Sequence, residues 1–120
     1  MRAWRRSLII LRQNKVESLL GLAMKSRNVV SGEYSVEEAI KKGTAYLVVV
    51  ACDASEGTRK HFRDKCGFYQ VPLVEYGTRE SLGHALGKEM RASLAIVNDG
   101  FAKAVCAQID ETTKQMGVAE

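Results

Sequence analysis

Cys52 and Asp53 stand where a strand hands over to a helix, the place where open α/β sheets expose reactive groups. The run Val48-Val49-Val50-Ala51-Cys52-Asp53-Ala54-Ser55 passes from β-branched apolar residues through a small-residue turn to a polar helix start. A thiolate at Cys52 would be a nucleophile, and Asp53 with Glu56 would be an acid–base pair. The neighbours complete neither device. No base adjoins Cys52, so it reads as a small buried packing residue. Helix capping accounts for Asp53 and Glu56. The two histidines, His61 and His84, fall beside Arg59, Lys60 and Arg63 on a polar helix face and beside Gly83 in a short helix. Both read as surface residues.

Gly83-His84-Ala85-Leu86-Gly87-Lys88 imitates a phosphate loop. It has one residue too few between its glycines, carries Glu89 in place of the hydroxyl residue, and ends a helix instead of opening one. No GxGxxG, GxSxG or HExxH is present. Three cysteines, Cys52, Cys66 and Cys106, without CxxC spacing oppose a disulfide framework or a zinc site and suit reduced thiols. The reading is therefore non-enzymatic, with no catalytic residue, no metal ligand and no cofactor assigned.

These residues are positioned by a regular alternation of elements. Asn14 or Ser18 caps a first helix through about Lys25, with Val16, Leu19, Leu20 and Ala23 as its apolar stripe. Val29-Val30 is a short strand that stops at Gly32. Ser35-Val36-Glu37-Glu38 has the spacing of a capping box opening a second helix, which buries Val36, Ala39 and Ile40 and ends at Gly43. Leu47 to Ala51 is a buried strand. Asp53 or Ser55 starts a third helix with Thr58, Phe62, Cys66 and Tyr69 inward. Val71 to Glu75 is the next strand, and Pro72 makes it an edge strand or stands at its start. Thr78 caps a short helix, Leu94 to Val97 is a strand, and Asp99 caps a last helix with Phe101, Val105 and Ile109 inward. Such alternation predicts an α/β fold with a parallel or mixed sheet between two helix layers.

The 120 residues make one domain, and 46% hydrophobic content is enough for a core. Residues 1–13 read as a basic arm or helix extension, and residues 14–120 as the domain. The net charge of +4 is unevenly spread: the chain through Arg27 carries +6 and the remainder −2. A basic N-terminal quarter suits a polyanion, nucleic acid first, or a solvated helix face. Leu8-Ile9-Ile10-Leu11 is too short to span a membrane.

Leu20-Gly21-Leu22-Ala23, Val30-Ser31-Gly32, the Ala51-to-Ser55 turn, Val71-Pro72-Leu73-Val74-Glu75 and Thr78-Arg79-Glu80-Ser81-Leu82-Gly83-His84-Ala85-Leu86-Gly87-Lys88-Glu89 occur here in order. Together they resemble the kink-turn-binding ribosomal protein family of the L-seven-Ae/L-thirty-e type, and most of all its short bacterial YlxQ-type members. The resemblance runs from about Val16 to Ile109. It implies a three-layer α/β/α sandwich with a mixed four-stranded sheet. It also implies non-catalytic binding of structured RNA, kink-turn-like and ribosomal or translation-related. Ribosomal proteins are implied as further partners; no membrane and no DNA are expected, and the location is the cytoplasm.

In the family, the start of the second helix enters the widened groove of the RNA, and the loop before the last strand packs under a flipped-out nucleotide. Transferred here, the RNA-binding residues are Gly32, Glu33, Tyr34, Ser35, Glu38 and Lys41 with Lys88, Met90 and Arg91, while Lys25 and Arg27 add phosphate contacts. Met90 between two cations is a flexible apolar surface for an unstacked base. The chain departs from the archaeal Gly-x-Asn-Glu-x-x-Lys pattern, carrying Tyr34, Ser35 and Glu38 at the last three defined positions, and Asn28 stands where a lysine precedes the strand. A carboxylate at Glu38 repels the acceptors of guanine O6 and N7. It either accepts from a guanine or cytosine amino group or completes the capping box, the preferred reading. Tyr34 can stack on a base, and Lys42 can pair with Glu38. The alternative is a protein-interaction module on the same fold, with Glu33, Glu37 and Glu38 meeting a basic partner.

Overall fold

Leu47–Val50 is buried at every position, which a strand achieves only with helices above and below it. It is the second strand in a computed structural model that describes residues 15–118, with side chains described for residues 15–112. The elements are α1 (residues 15–25), β1 (Val29–Ser31), α2 (Glu33–Lys42), β2 (Leu47–Val50), α3 (Glu56–Tyr69), β3 (Leu73–Glu75), α4 (Arg79–Ala85), β4 (Ser93–Ile96) and α5 (Asp99–Val118). The strands lie in the order β1-β4-β2-β3. Only β2 and β3 run parallel, so the sheet is mixed.

Two helix layers cover the sheet. On one face α2 packs on β1 and β4, α3 packs on β2 and β3, and the two helices touch each other. α5 lies on β4. α1 borders α4, where Gly21 faces the Ala85 carbonyl closely, and α5, where Leu19 and Leu22 share a cleft with Gln108. The α/β/α sandwich expected from the alternation is thus the observed fold. Its aliphatic core joins Val16 and Leu20 of α1, Val36 and Ile40 of α2, Phe62 of α3, Leu82 of α4, and Val105 and Ile109 of α5 to the central strands. Burial of each such side chain contributes about 1.5–3 kcal/mol.

Local chemistry sets most element ends. The Ser55 hydroxyl accepts from the Thr58 N–H at 3.1 Å and starts α3. Thr78 and Ser81 exchange two hydrogen bonds in a capping box that starts α4. α1 ends in a Schellman pair: Asn28 N–H donates to the Ala23 carbonyl and Arg27 N–H to that of Met24, with Arg27 at φ 63.

Five expectations are corrected. α2 begins at Glu33, not Ser35. The chain enters it through Gly32 at φ 92, ψ 152, with no side-chain cap, and the Gly32 carbonyl accepts from Val36 at 3.0 Å. That backbone conformation favours glycine. It places Ser35 and Glu38 inside the helix, so no capping box forms between them. The last helix is capped by Asn98, whose Oδ1 accepts from Phe101 N–H at 3.0 Å, and Asp99 is its first residue. Tyr69 is exposed instead of inward. Cys52 is exposed too, because its backbone leaves the sheet to bond the Gly77 carbonyl at 2.8 Å. Helix α1 is already formed at residue 15, so Ser18 does not cap it. Asn14 and the basic arm at residues 1–13 lie outside the described residues.

Candidate nucleic-acid interface

The register of β1 on β4 decides what sits together. Ser31 pairs with Leu94, and the Gly32 N–H donates to the Ser93 carbonyl at 3.2 Å. The start of α2 therefore lies beside the turn that leads into β4. Arg91 ties the two segments. Its Nε donates to Ser31 Oγ at 3.0 Å, its Nη1 to the Met90 carbonyl at 2.8 Å, and its backbone N–H to the Arg79 carbonyl at 3.0 Å. A half-buried guanidinium held this way is fixed in orientation.

The turn itself is braced against α4. Lys88 N–H donates to the Gly83 carbonyl at 2.8 Å, and Gly87 N–H to that of His84 at 3.1 Å. A Cβ on Gly83 would collide with the Glu89 carbonyl and lie 2.9 Å from the Met90 Cα, so glycine permits this close approach. The result presents Met90 with 52% exposure between Lys88 and Arg91. The Arg91–Ser31 and Gly32–Ser93 bonds make the start of α2 and the turn before β4 neighbours at one end of the sheet.

A separate groove of about 460 Å³ lies between α2 and β1, lined by Val30, Tyr34, Ser35, Glu38, Ala39, Lys42, Thr44 and Val97. β1 is the edge strand of the sheet, so the groove opens to solvent. Tyr34 is 76% exposed, and Lys42 Nζ lies 3.9 Å from Glu38 Oε2. Lys42, absent from the residues selected by sequence, is the lysine in the groove.

Lys41 is not part of it. Its ammonium pairs with Glu37 at 3.5 Å, where Lys65 at 3.4 Å and His61 at 3.7 Å also converge from α3. Burial raises the affinity of the Glu37 carboxyl for its proton. The charges of Lys41, His61 and Lys65, with a hydrogen bond from Lys65, outweigh that and hold its pKa below the ordinary value. Lys25 lines a separate cleft of about 610 Å³ between α1 and the end of α4, with His84 and Gly87. Arg27 precedes β1, and the strand's three residues, about 10 Å, separate it from Gly32. It is not brought to the junction.

The catalytic alternatives do not assemble. Partial desolvation raises the Cys52 thiol pKa, and the Glu75 and Asp53 charges raise it further against Arg59, the opposite of an activated nucleophile. Asp53 accepts from the Arg79 N–H at 2.8 Å and is occupied as a brace for α4. Among the described residues no cluster of three or more His, Cys, Asp or Glu could hold a metal ion, and no helix is long and apolar enough to cross a membrane.

Residues 14–106 match the sequence profile of the ribosomal protein L7Ae/L30e/S12e/Gadd45 family. The chain is 42% identical over 92 residues to the RNA-binding protein YlxQ of Bacillus subtilis (strain 168), covering 77% of this chain and 92% of that protein. It is 36% identical over 81 residues to the large ribosomal subunit protein eL30 of Methanoregula boonei, covering 65% of this chain and 79% of that one. Among solved structures, a Bacillus halodurans C protein of unknown function superposes with a TM-score of 0.78 at 41% identity, over 80% of this chain and 97% of the other. The Giardia lamblia 15.5kD RNA binding protein shares the fold, with a TM-score of 0.68 at 20% identity over 89% of each chain.

Proposed function

The chain belongs to the ribosomal protein L7Ae/L30e/S12e/Gadd45 family, and on that premise we propose that it binds structured RNA, in keeping with relatives named RNA-binding protein YlxQ and large ribosomal subunit protein eL30. The relatives are named as RNA-binding and ribosomal proteins, and the reading is of a binding protein without catalysis. The finer form of the proposal is a kink-turn-like RNA of the ribosome or translation machinery, met in the cytoplasm, with ribosomal proteins as further neighbours.

One observation carries the reading: Arg91 bonds Ser31 across sixty residues of sequence and keeps the start of α2 against the Met90 turn. The arrangement suits a sharply bent RNA. Lys88 and the outer nitrogens of Arg91 meet phosphates, Met90 packs under an unstacked base, and Gly32 lets the backbone approach closely. The test is binding of the full chain to a kink-turn RNA and to a straightened variant whose loop is replaced by Watson–Crick pairs. Tighter binding to the kink-turn is expected; equal affinity removes the specific form, and no affinity for either removes RNA binding.

A second reading draws on the acids of α2, of which Glu33 starts the helix and Glu38 lines the groove, while Glu37 is engaged by Lys41, His61 and Lys65. These suit a basic protein partner. Capture of partners that survive ribonuclease treatment favours it, and loss of all partners favours RNA.

A further inference from the structure

Two glycines of α3 have no explanation within the single chain. The helical glycines Gly21, Gly83 and Gly100 each have a neighbouring atom within 3.2 Å of where a Cβ would stand, so lack of space accounts for them. Gly57 and Gly67 of α3 have none within 4 Å. A helical glycine costs stability relative to alanine, and nothing in the chain's own packing offsets it here. Between these glycines stand Lys60 and Asp64, 3.2 Å apart with side chains 71% and 68% exposed. The steps from Gly57 to Lys60, Asp64 and Gly67 are three, four and three residues, which sets all four on one stripe of the helix. Beside Gly67 is Phe68, 79% exposed and held edge-on by Tyr69 with ring centroids 5.0 Å apart.

The stripe reads the same from either end: small, charged, oppositely charged, small. A two-fold axis midway between Lys60 and Asp64 brings Gly57 onto Gly67 and Lys60 onto Asp64, each pair twice. We infer that α3 pairs antiparallel with α3 of a second copy of this chain, making a two-fold dimer. Such a contact requires a surface that complements itself, and this one does so in charge and in shape. The Asp64 carboxylate accepts at two oxygens and the Lys60 ammonium carries three donors. Each can therefore keep its neighbour on the same helix and take the other copy's partner as well. An exposed ion pair contributes little alone; four alternating charges close into a ring. The distance between packed helix axes is set by the side chains at the contact, so the bare backbone at both glycines admits a close approach. Phe68 of each copy then lies over the first turn of the other, across Gly57. Charge argues against a polyanion as the occupant: on the exposed side of α3, Glu56 and Asp64 balance Lys60 and Arg63, leaving no surplus to draw phosphate. α3 packs on α2, β2 and β3, whereas Arg91 and Ser31 join the turn before β4 to β1. The dimer leaves that junction open in both copies and stands whether or not the junction takes RNA. One helix pair is smaller than the roughly 800 Å² per partner of a standard interface, so association is weak and depends on concentration.

Sedimentation equilibrium of the full chain over a wide range of concentration reads the association, and a monomer–dimer equilibrium is expected. Lys60→Glu makes the charged pair of the stripe wholly acidic, and Asp64→Lys makes it wholly basic. Each variant alone should dimerise more weakly by about tenfold or more, because like charges then face each other. An equimolar mixture of the two variants should associate about as well as the unaltered chain, since every facing pair is again opposite in charge. Gly67→Gln leaves the charges in place. It should raise the melting temperature of the monomer through better helix propensity and yet weaken the dimer by filling the space between the axes. All three positions are exposed, so the variants keep the fold, which circular dichroism checks. A chain that stays monomeric at every concentration, a dimer unmoved by either charge reversal, a mixture no stronger than its components, or full-strength dimerisation of Gly67→Gln overturns the inference.

Discussion

Arg91 donates its Nε hydrogen to the Ser31 hydroxyl at 3.0 Å, joining residues sixty positions apart. The bond closes the gap between an edge strand and the turn before β4, and its second branch to the Met90 carbonyl fixes that turn. Position and charge are therefore supplied by one side chain. Arg91→Met removes both. It should weaken RNA binding by about tenfold, the loss of one charge-assisted hydrogen bond. Arg91→Lys, which keeps charge without the fork, should recover only part of it. Titration of a kink-turn RNA with each variant measures this, and a full recovery by lysine would show that the fork geometry is irrelevant.

Gly83→Ala tests the brace behind Met90. A methyl group in an α-helix ordinarily gains about 1 kcal/mol over glycine. Here it meets the Glu89 carbonyl, a backbone atom that cannot step aside without moving the turn. Overpacking of this kind costs about 1–3 kcal/mol, so the variant should melt at a lower temperature despite its better helix propensity. A rise in melting temperature would mean that the turn yields freely.

Much of this was legible in the chain. Ser55 and Thr78 start their helices as their side chains dictate, and Gly43 ends α2 in the left-handed region. The strands stand out because Leu47–Val50 and Ser93–Ile96 must be buried on both faces. The start of α2 was not legible, since Ser35 and Glu38 have capping-box spacing and only the backbone conformation at Gly32 overrides it. Nor could local pattern separate Lys41 from Lys42. One residue is a rotation of about 100° around a helix, and which side matters depends on where α3 lies. Arg27 was expected to add a phosphate contact, and the strand β1 stands between it and Gly32.

The Glu37 cluster sets a pH signature. Its pKa is held below the ordinary 4.5 in the folded chain. The resulting stability is complete above the unfolded value and is lost as pH falls through the folded one. Glu37→Gln should therefore lower the melting temperature at pH 7, and the difference should shrink as the pH is taken below about 4.5. Thermal melts across that range check the slope. A difference that stays constant into acid would show that Lys41, His61 and Lys65 do not stabilise the carboxylate.

Cys52 is exposed yet its thiol pKa is raised above the ordinary 9.0. Iodoacetamide should label it more slowly than a free thiol at pH 8, with the rate climbing only at higher pH, because the thiolate is the reactive form. Site-resolved mass spectrometry reads the rate. Faster labelling than a free thiol would reopen a nucleophilic role.

The most direct measurement of the central claim is an amide chemical-shift titration of the full chain with a kink-turn RNA. Joint perturbation of Gly32 to Ser35 and of Lys88 to Arg91, with Phe68 and Tyr69 at the end of α3 unmoved, is the expected result. Perturbation of only one of the two segments, or of α3 instead, would contradict a shared RNA-docking surface.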